Sequence, residues 1–216
     1  MKDLLCKELR LSLHPAQLLF LALSAMVLIP SYPYYVIFLY TCLGVYFMFL
    51  NGRENRDVFY TALLPVRKCE VVRARVLSAA LIELVQVLVT VPLAVLSVRM
   101  NPGTNTAGIE PNVAFFGLVF VMLGGFNLIF LPSFYQTALR TGRGLIWGSV
   151  FILLYFIAVE SAAQYVPSPV SAFLDTTEPA AQLRQLPLLL CGLLLWIGLT
   201  ALASRISERR FERVDL

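Results

Sequence analysis

The sequence predicts an all-α integral membrane protein with six transmembrane helices and both termini on the cytosolic side. Three observations carry that expectation. Of the 216 residues, 59% are hydrophobic and 14% charged, against roughly 25% charged in an average soluble domain, and the mean hydropathy is +0.78. The apolar residues gather into six runs that approach the roughly 20 residues needed to cross a bilayer core. The basic residues fall mainly in alternate connections between those runs, and this asymmetry orients a membrane protein.

Taken in order, residues 1–14 place Asp3, Lys7, Arg10 and His14 at helical spacing, with Leu5, Leu9 and Leu13, helped by Leu4, on the other face. That pattern predicts an interfacial helix along the cytosolic leaflet; a plain start-transfer flank is the alternative. Lys2, Lys7 and Arg10 ahead of an apolar run imitate a secretory signal, but the rest of the chain is equally hydrophobic, which favours a retained first span. The six runs are Pro15–Ile29, Tyr34–Leu50, Val76–Val98, Asn112–Tyr135, Leu145–Tyr165 and Leu186–Ser204. The first two are short and are parted by Pro30-Ser31-Tyr32-Pro33, which no continuous helix passes through. They also read as one bent hairpin.

With the N-terminus inside, the inner segments hold fifteen of the seventeen lysines and arginines, and the outer loops hold only Arg99 and Arg184. Such a bias puts both termini in the cytosol and requires an even number of spans. Tyr32, Tyr34 and Tyr35 are expected at the outer interface and Trp147 near the inner one. Gly144 and Gly148, four apart at the start of span five, and the Gly124-Gly125 pair in span four permit close helix approach, and the first pair offers a contact for a second copy.

The connection 51–75 carries six basic residues and its own apolar pattern, Phe59, Leu63, Leu64 and Val66. Asn51 to Arg56 is expected to open a short helix with Glu54 and Asp57 near its positive end. Phe59 and Leu63 then share a face, and Leu64-Pro65 ends the helix. Pro65 suits the first turn of a second helix, supported by Glu70 and Arg73 at i, i+3, that runs into span three. The apolar face fits docking to a partner or packing on the inner membrane surface.

Two carboxylates lie within spans, Glu83 in span three and Glu160 near the outer end of span five. Placing an ionisable group there costs about 2.5–3.5 kcal/mol on insertion scales, so it meets water, a partner or a ligand. Glu83 with Gln86, and Glu160 with Gln164, are expected to line a substrate pathway, or else to pair with Arg99 or Arg184 or, for Glu160, to snorkel to water. Trp196, mid-span in helix six, reads as a packing residue or a cavity wall. Asn127 in span four is expected to hydrogen-bond a neighbouring helix.

Several chemistries lack their residues. No GxxxxGK[ST] phosphate loop is present, so ATP hydrolysis of that kind needs another polypeptide. GxSxG, HExxH and paired-acid constellations are absent as well. The basic residues form no continuous stripe for nucleic acid. Cys6, Cys42, Cys69 and Cys191 form no CxxC pair, and the lone His14 completes no zinc set, so all four are expected to be reduced.

Six spans, an N-terminal interfacial helix, and a connection carrying Glu54, Asp57, Leu64, Pro65, Val66 and the basic pair Arg67-Lys68 resemble the permease subunits of type-2 ABC exporters. Small permeases of this shape resemble those exporting bacterial amphipathic peptides such as phenol-soluble modulins. The resemblance implies that residues 51–75 form a coupling helix seated in a separate ATPase subunit, through Glu54, Asp57, Phe59, Leu63, Leu64, Pro65, Arg67 and Lys68. It implies that ATP and Mg are bound by that partner, leaving this chain without a cofactor, metal or enzymatic activity of its own. It further implies a second permease chain making a homodimer, a bacterial plasma-membrane location, and a peptide cargo meeting Glu83, Gln86, Glu160 and Trp196. Short re-entrant helices in Val166–Leu186, where Pro167 and Pro169 fall, also follow from it. A membrane-embedded lipid-modifying enzyme and a toxin-binding immunity protein are the competing classes.

Overall fold

A computed structural model describes residues 2–12, 14–62, 66–101, 105, 107–136, 141–164, 173–176 and 178–213. Among the described residues the regular elements are helical: α1 (Lys2–Lys7, continued by a wider turn over Glu8–Ser12), α2 (Ala16–Ala22, continued as 3-10 helix over Leu23–Leu28), α3 (Tyr35–Glu54), α4 (Asp57–Ala62), α5 (Lys68–Met100), α6 (Val113–Gln136), α7 (Thr141–Gln164), α8 (Pro179–Arg184) and α9 (Leu186–Glu212). Helices α3, α5, α6, α7 and α9 are each long and apolar enough to cross a membrane.

The first predicted span is built differently from the other five. In place of one crossing helix, seven α-helical residues run into six of 3-10 helix. The segment reaches crossing length only when joined to α1 across an 85° bend, giving five spans or six. Pro15 stands at that bend, where its missing N–H costs no helical hydrogen bond.

Helix α6 is the centre of the bundle. It packs along α9 and α7, and its buried Phe115, Phe126, Phe130 and Phe134 build an aromatic core with Phe38 and Phe49 of α3. Phe49 sits edge-on to Phe134 at 4.8 Å and to Phe130 at 5.3 Å, the geometry that ring quadrupoles favour. Tyr34 and Tyr35, expected at an interface, are instead inside this core, 3% and 2% exposed, with Tyr35 tilted against Phe115. Three tyrosines within four residues near a helix start could not distinguish the two environments. Trp147 is 61% exposed near the start of α7, where an interfacial ring was expected.

Gly144 and Gly148 do not face outward for a second copy. A Cβ on Gly144 would lie 3.0 Å from Phe130, and one on Gly148 would lie 2.8 Å from Phe126, so both seat α7 on α6 within the chain. The outward face of α7 is Ile146, Trp147, Val150, Leu153, Leu154 and Ile157.

Helix ends also shift. α5 begins at Lys68 rather than at Pro65 and extends 33 residues, while α9 continues past Ser204 to Glu212. Asn51–Glu54 close α3 rather than open the short helix, which starts at Asp57. Arg56 adopts φ 52° at the break, a left-handed turn costing roughly 1–2 kcal/mol for a residue with a Cβ. Leu63, Leu64 and Pro65 lie outside the described residues, as do residues 165–172, where Pro167 and Pro169 fall. Of the expected outer re-entrant segment, α8 is described, a six-residue helix immediately before α9.

Candidate functional site

Two polar constellations sit inside this apolar fold. The first lies at the end of the bundle where α1, α4, the end of α3 and the start of α5 meet. Leu4, Glu8 and Ser12, spaced by four, form the buried face of the N-terminal segment. Of the predicted leucine face, Leu4 is buried and Leu5 and Leu9 are partly buried, but a carboxylate, Glu8, also points inward. The reason is Arg75, one turn into the apolar part of α5 and wholly buried.

Arg75 donates Nε to Glu8 Oε2 at 2.8 Å and Nη2 to Glu8 Oε1 at 3.2 Å, a forked pairing that Lys cannot reproduce. Nη2 also donates to Asp57 Oδ2 at the start of α4. Lys7 Nζ lies 2.7 Å from Asp57 Oδ1 and 3.2 Å from Glu8 Oε1, and it donates to Thr61 Oγ1 at 2.6 Å. Ser12 Oγ donates to Glu8 Oε2 at 2.9 Å. Two cations and two carboxylates thus balance, as buried charge requires. Gly52 admits the guanidinium, since a Cβ there would lie 2.8 Å from Nη1. Phe49 holds its ring 5.8 Å from Arg75 Cζ, a cation–π contact.

This hub assigns Asp57 an inward role, fixing α4 to α1 and α5. Glu54 is exposed at the end of α3, Arg67 is the exposed N-cap of α5, and Lys68 stands 5.9 Å over the Phe211 ring. Phe59 falls within α4, but its side chain lies outside the described set. Tyr60, its neighbour, is 67% exposed on α4 and escaped the sequence pattern, because the i, i+4 spacing picks out Phe59 and Leu63 instead. Arg73 does not support a local i, i+3 pair. It forks onto Glu208 of α9 at 2.9 and 2.8 Å.

The second constellation is mid-bundle. Glu83 and Asn127 are wholly buried, and Trp196 and Thr200 are 8% exposed. Trp196 Nε1 donates to Glu83 Oε2 at 2.7 Å, and Asn127 Nδ2 donates to the same oxygen at 3.0 Å and to Thr200 Oγ1 at 3.1 Å. Glu83 Oε1 and Asn127 Oδ1 receive no donor. Beside them, Trp196 and Thr200 line a groove of about 340 Å³ that also touches Arg73, Leu77 and Ser204. Two buried acceptors without donors, next to a groove, suit a hydrogen-bond donor or a cation.

The predicted pathway residues are not all brought together. Glu83 and Trp196 join, and Asn127 bonds to neighbouring helices as expected. Gln86 faces the other way, donating to Ser24 Oγ at 2.7 Å and Phe20 O at 3.3 Å. Glu160 lies near the far end of α7, beneath the connection before α6. Its Oε1 accepts from Ile109 N–H at 3.4 Å, and a Cβ on Gly108 would lie 2.7 Å from it. Its Oε1 is thus capped by backbone while its Oε2 has no hydrogen-bond partner among the described residues, and it pairs with neither Arg99 nor Arg184; the Gln164 side chain is outside the described residues. On the same connection, burial pushes the Glu110 carboxyl above its usual range, the Asn105 N–H partly offsets this, and Asp175 adds to the rise. All four cysteines are free. Among the described residues, no group of three or more His, Cys, Asp or Glu is placed to hold a metal.

A helical bundle with five or six helices of crossing length, charges gathered at one end and an internal polar cluster is a multi-span membrane protein. The chain belongs to the ABC-2 family of transporter proteins: the family model described as ABC-2 family transporter protein matches residues 3–212. Comparison with curated proteins and with solved structures gave no match.

Proposed function

We propose that this chain is the permease subunit of an ATP-driven exporter of amphipathic or cationic peptides in a bacterial plasma membrane. It works as one of two permease chains, identical copies in the simplest assembly. A separate ATPase subunit binds ATP and Mg and supplies the energy, and this chain has no enzymatic activity of its own. Both termini and α4 lie in the cytosol, in keeping with the bias of Lys and Arg toward that end.

The observation that carries this reading is the anchoring of α4. Asp57 ties it to Arg75, and Arg75 belongs to the same continuous helix as Glu83. A displacement of α4 by a docked ATPase is therefore transmitted along α5 to the mid-membrane cluster. Tyr60 supplies an exposed aromatic for docking, the residue class that dominates binding hot spots. Tyr60→Ala together with Phe59→Ala is expected to weaken co-purification with the proposed ATPase subunit by about tenfold, the equivalent of roughly 1.4 kcal/mol. Unchanged binding and unchanged coupled hydrolysis would refute the docking role.

At the cluster, the unpaired Glu83 Oε1 and Asn127 Oδ1 suit the ammonium or amide donors of a peptide passing the groove. Glu83→Gln keeps an acceptor but loses the charge. Export of cationic peptides from vesicles is expected to fall several-fold while ATPase binding persists. Wild-type export by the variant removes Glu83 from the pathway.

A further inference from the structure

Helix α5 is stapled to the N-terminal segment at two heights. Arg75 holds Glu8 of the α1 segment, and eleven residues further on Gln86 holds Ser24, followed by Thr90 to Ser24 at 3.1 Å and Ser97 to Val27 O at 2.7 Å. Between the staples the chain makes its 85° bend and swings away from α5. The wedge left behind is a cavity of about 590 Å³, walled by Leu9, Leu18 and Leu21 on one side and Leu81, Ile82 and Val85 on the other. Polar groups at its boundary are His14, Gln17 and Gln86.

The volume lies within the roughly 300–1,000 Å³ range of ligand sites. At a rise of about 1.5 Å per residue, the staples are about 16 Å apart along α5. That is close to one leaflet, half of the roughly 30 Å hydrocarbon core. Leu18, Leu19 and Leu88 are 76%, 62% and 60% exposed in the same region, which puts its surroundings in lipid. Arg10 is exposed directly after the wall residue Leu9. His14 Nδ1 accepts from the Ala16 N–H at 3.1 Å, leaving Nε2 as the donor.

We propose that this wedge is a binding site for one anionic phospholipid of the adjacent leaflet. One acyl chain fills the space between the staples, and the phosphate lies at the mouth near Arg10 and His14. The site rests on the membrane-spanning fold and not on coupling to an ATPase, so its failure would leave the exporter reading standing.

The test is native mass spectrometry of the full chain in detergent, titrated with phosphatidylglycerol or phosphatidylcholine. Wild type is expected to retain one phosphatidylglycerol at least tenfold more strongly than phosphatidylcholine. Leu21→Trp, which fills the wedge, should lose that retention, and Leu154→Trp on the outward face of α7 should keep it. Arg10→Gln should erase the headgroup preference while leaving acyl binding. If Leu21→Trp melts below wild type, Ile82→Phe reads the same space from the opposite wall. Equal retention in filled and unfilled chains overturns the site, as does equal binding of the two lipids by wild type. Displacement by an amphipathic peptide at equal occupancy, or a Leu18→Cys cross-link between two copies, reassigns the wedge and also overturns it.

Discussion

Arg75→Gln is expected to be the most destabilising polar substitution in this chain. Removing the guanidinium leaves the buried Glu8 and the partly buried Asp57 with Lys7 as their sole remaining cation in the hub. Breaking a buried pair in this way costs about 3–5 kcal/mol, because the uncompensated charges cannot return to water. For a chain of this size the melting midpoint in detergent should fall on the order of 10 °C. Arg73→Gln is the control. It also forks onto a carboxylate, Glu208, but its side chain is 56% exposed, and solvent screening leaves an exposed pair worth little. Glu8→Gln should resemble Arg75→Gln, and the double variant should cost less than the two combined, because the charges cancel each other. Equal melting of the Arg75 and Arg73 variants would show that the hub is not held by its buried charge.

The hub also marks the limit of what residue patterns expose. The class of fold was legible because a chain with this many apolar runs of membrane length has too little polar surface to fold in water, whereas a bilayer accommodates them directly. Glu8 was not, since one carboxylate between Lys7 and Arg10 looks like ordinary interfacial charge. Its partners are distant in sequence: Arg75 is read naturally as one more inside-positive residue, and Asp57 as a helix-start acid. Only the bend at Pro15 and the left-handed Arg56 bring α1 and α4 onto α5. Glu83 was detectable because a mid-span carboxylate is expensive. Gln86 could not be separated from it, as i, i+3 neighbours share a face broadly while their partners here are different helices. The irregular build of the first span was hidden for a related reason: hydropathy records apolar length, while Leu23–Leu28 use theirs as a tight 3-10 turn packed through Ser24 on α5.

Gly192→Ala is expected to open the seam that assembles the Glu83 cluster. A Cβ on Gly192 would fall onto the Gly117 carbonyl oxygen, and a Cβ on Gly117 would lie 2.9 Å from Leu188 O and 3.0 Å from Leu189 Cα. The obstacles are backbone atoms of α6 and α9, so no side chain can turn aside. The two helices must separate, and overpacking of this kind costs about 1–3 kcal/mol, occasionally more. The functional consequence follows from spacing. Gly192, Trp196 and Thr200 recur every four residues along α9, while Gly117 and Gly124 of α6, seven apart, face them; a Cβ on Gly124 would lie 3.0 Å from Trp196 Cα. Moving α9 outward therefore lengthens the 2.7 Å Trp196–Glu83 and 3.1 Å Asn127–Thr200 hydrogen bonds together. Gly198→Ala on the same helix meets nothing within 4 Å, and replacing glycine by alanine in a helix interior is worth about 0.5–1 kcal/mol in its favour. The expected result is a lowered melting midpoint and lost transport for Gly192→Ala beside wild-type or better values for Gly198→Ala. If the two variants melt and transport alike, close approach of α6 and α9 is not what holds the mid-membrane cluster together.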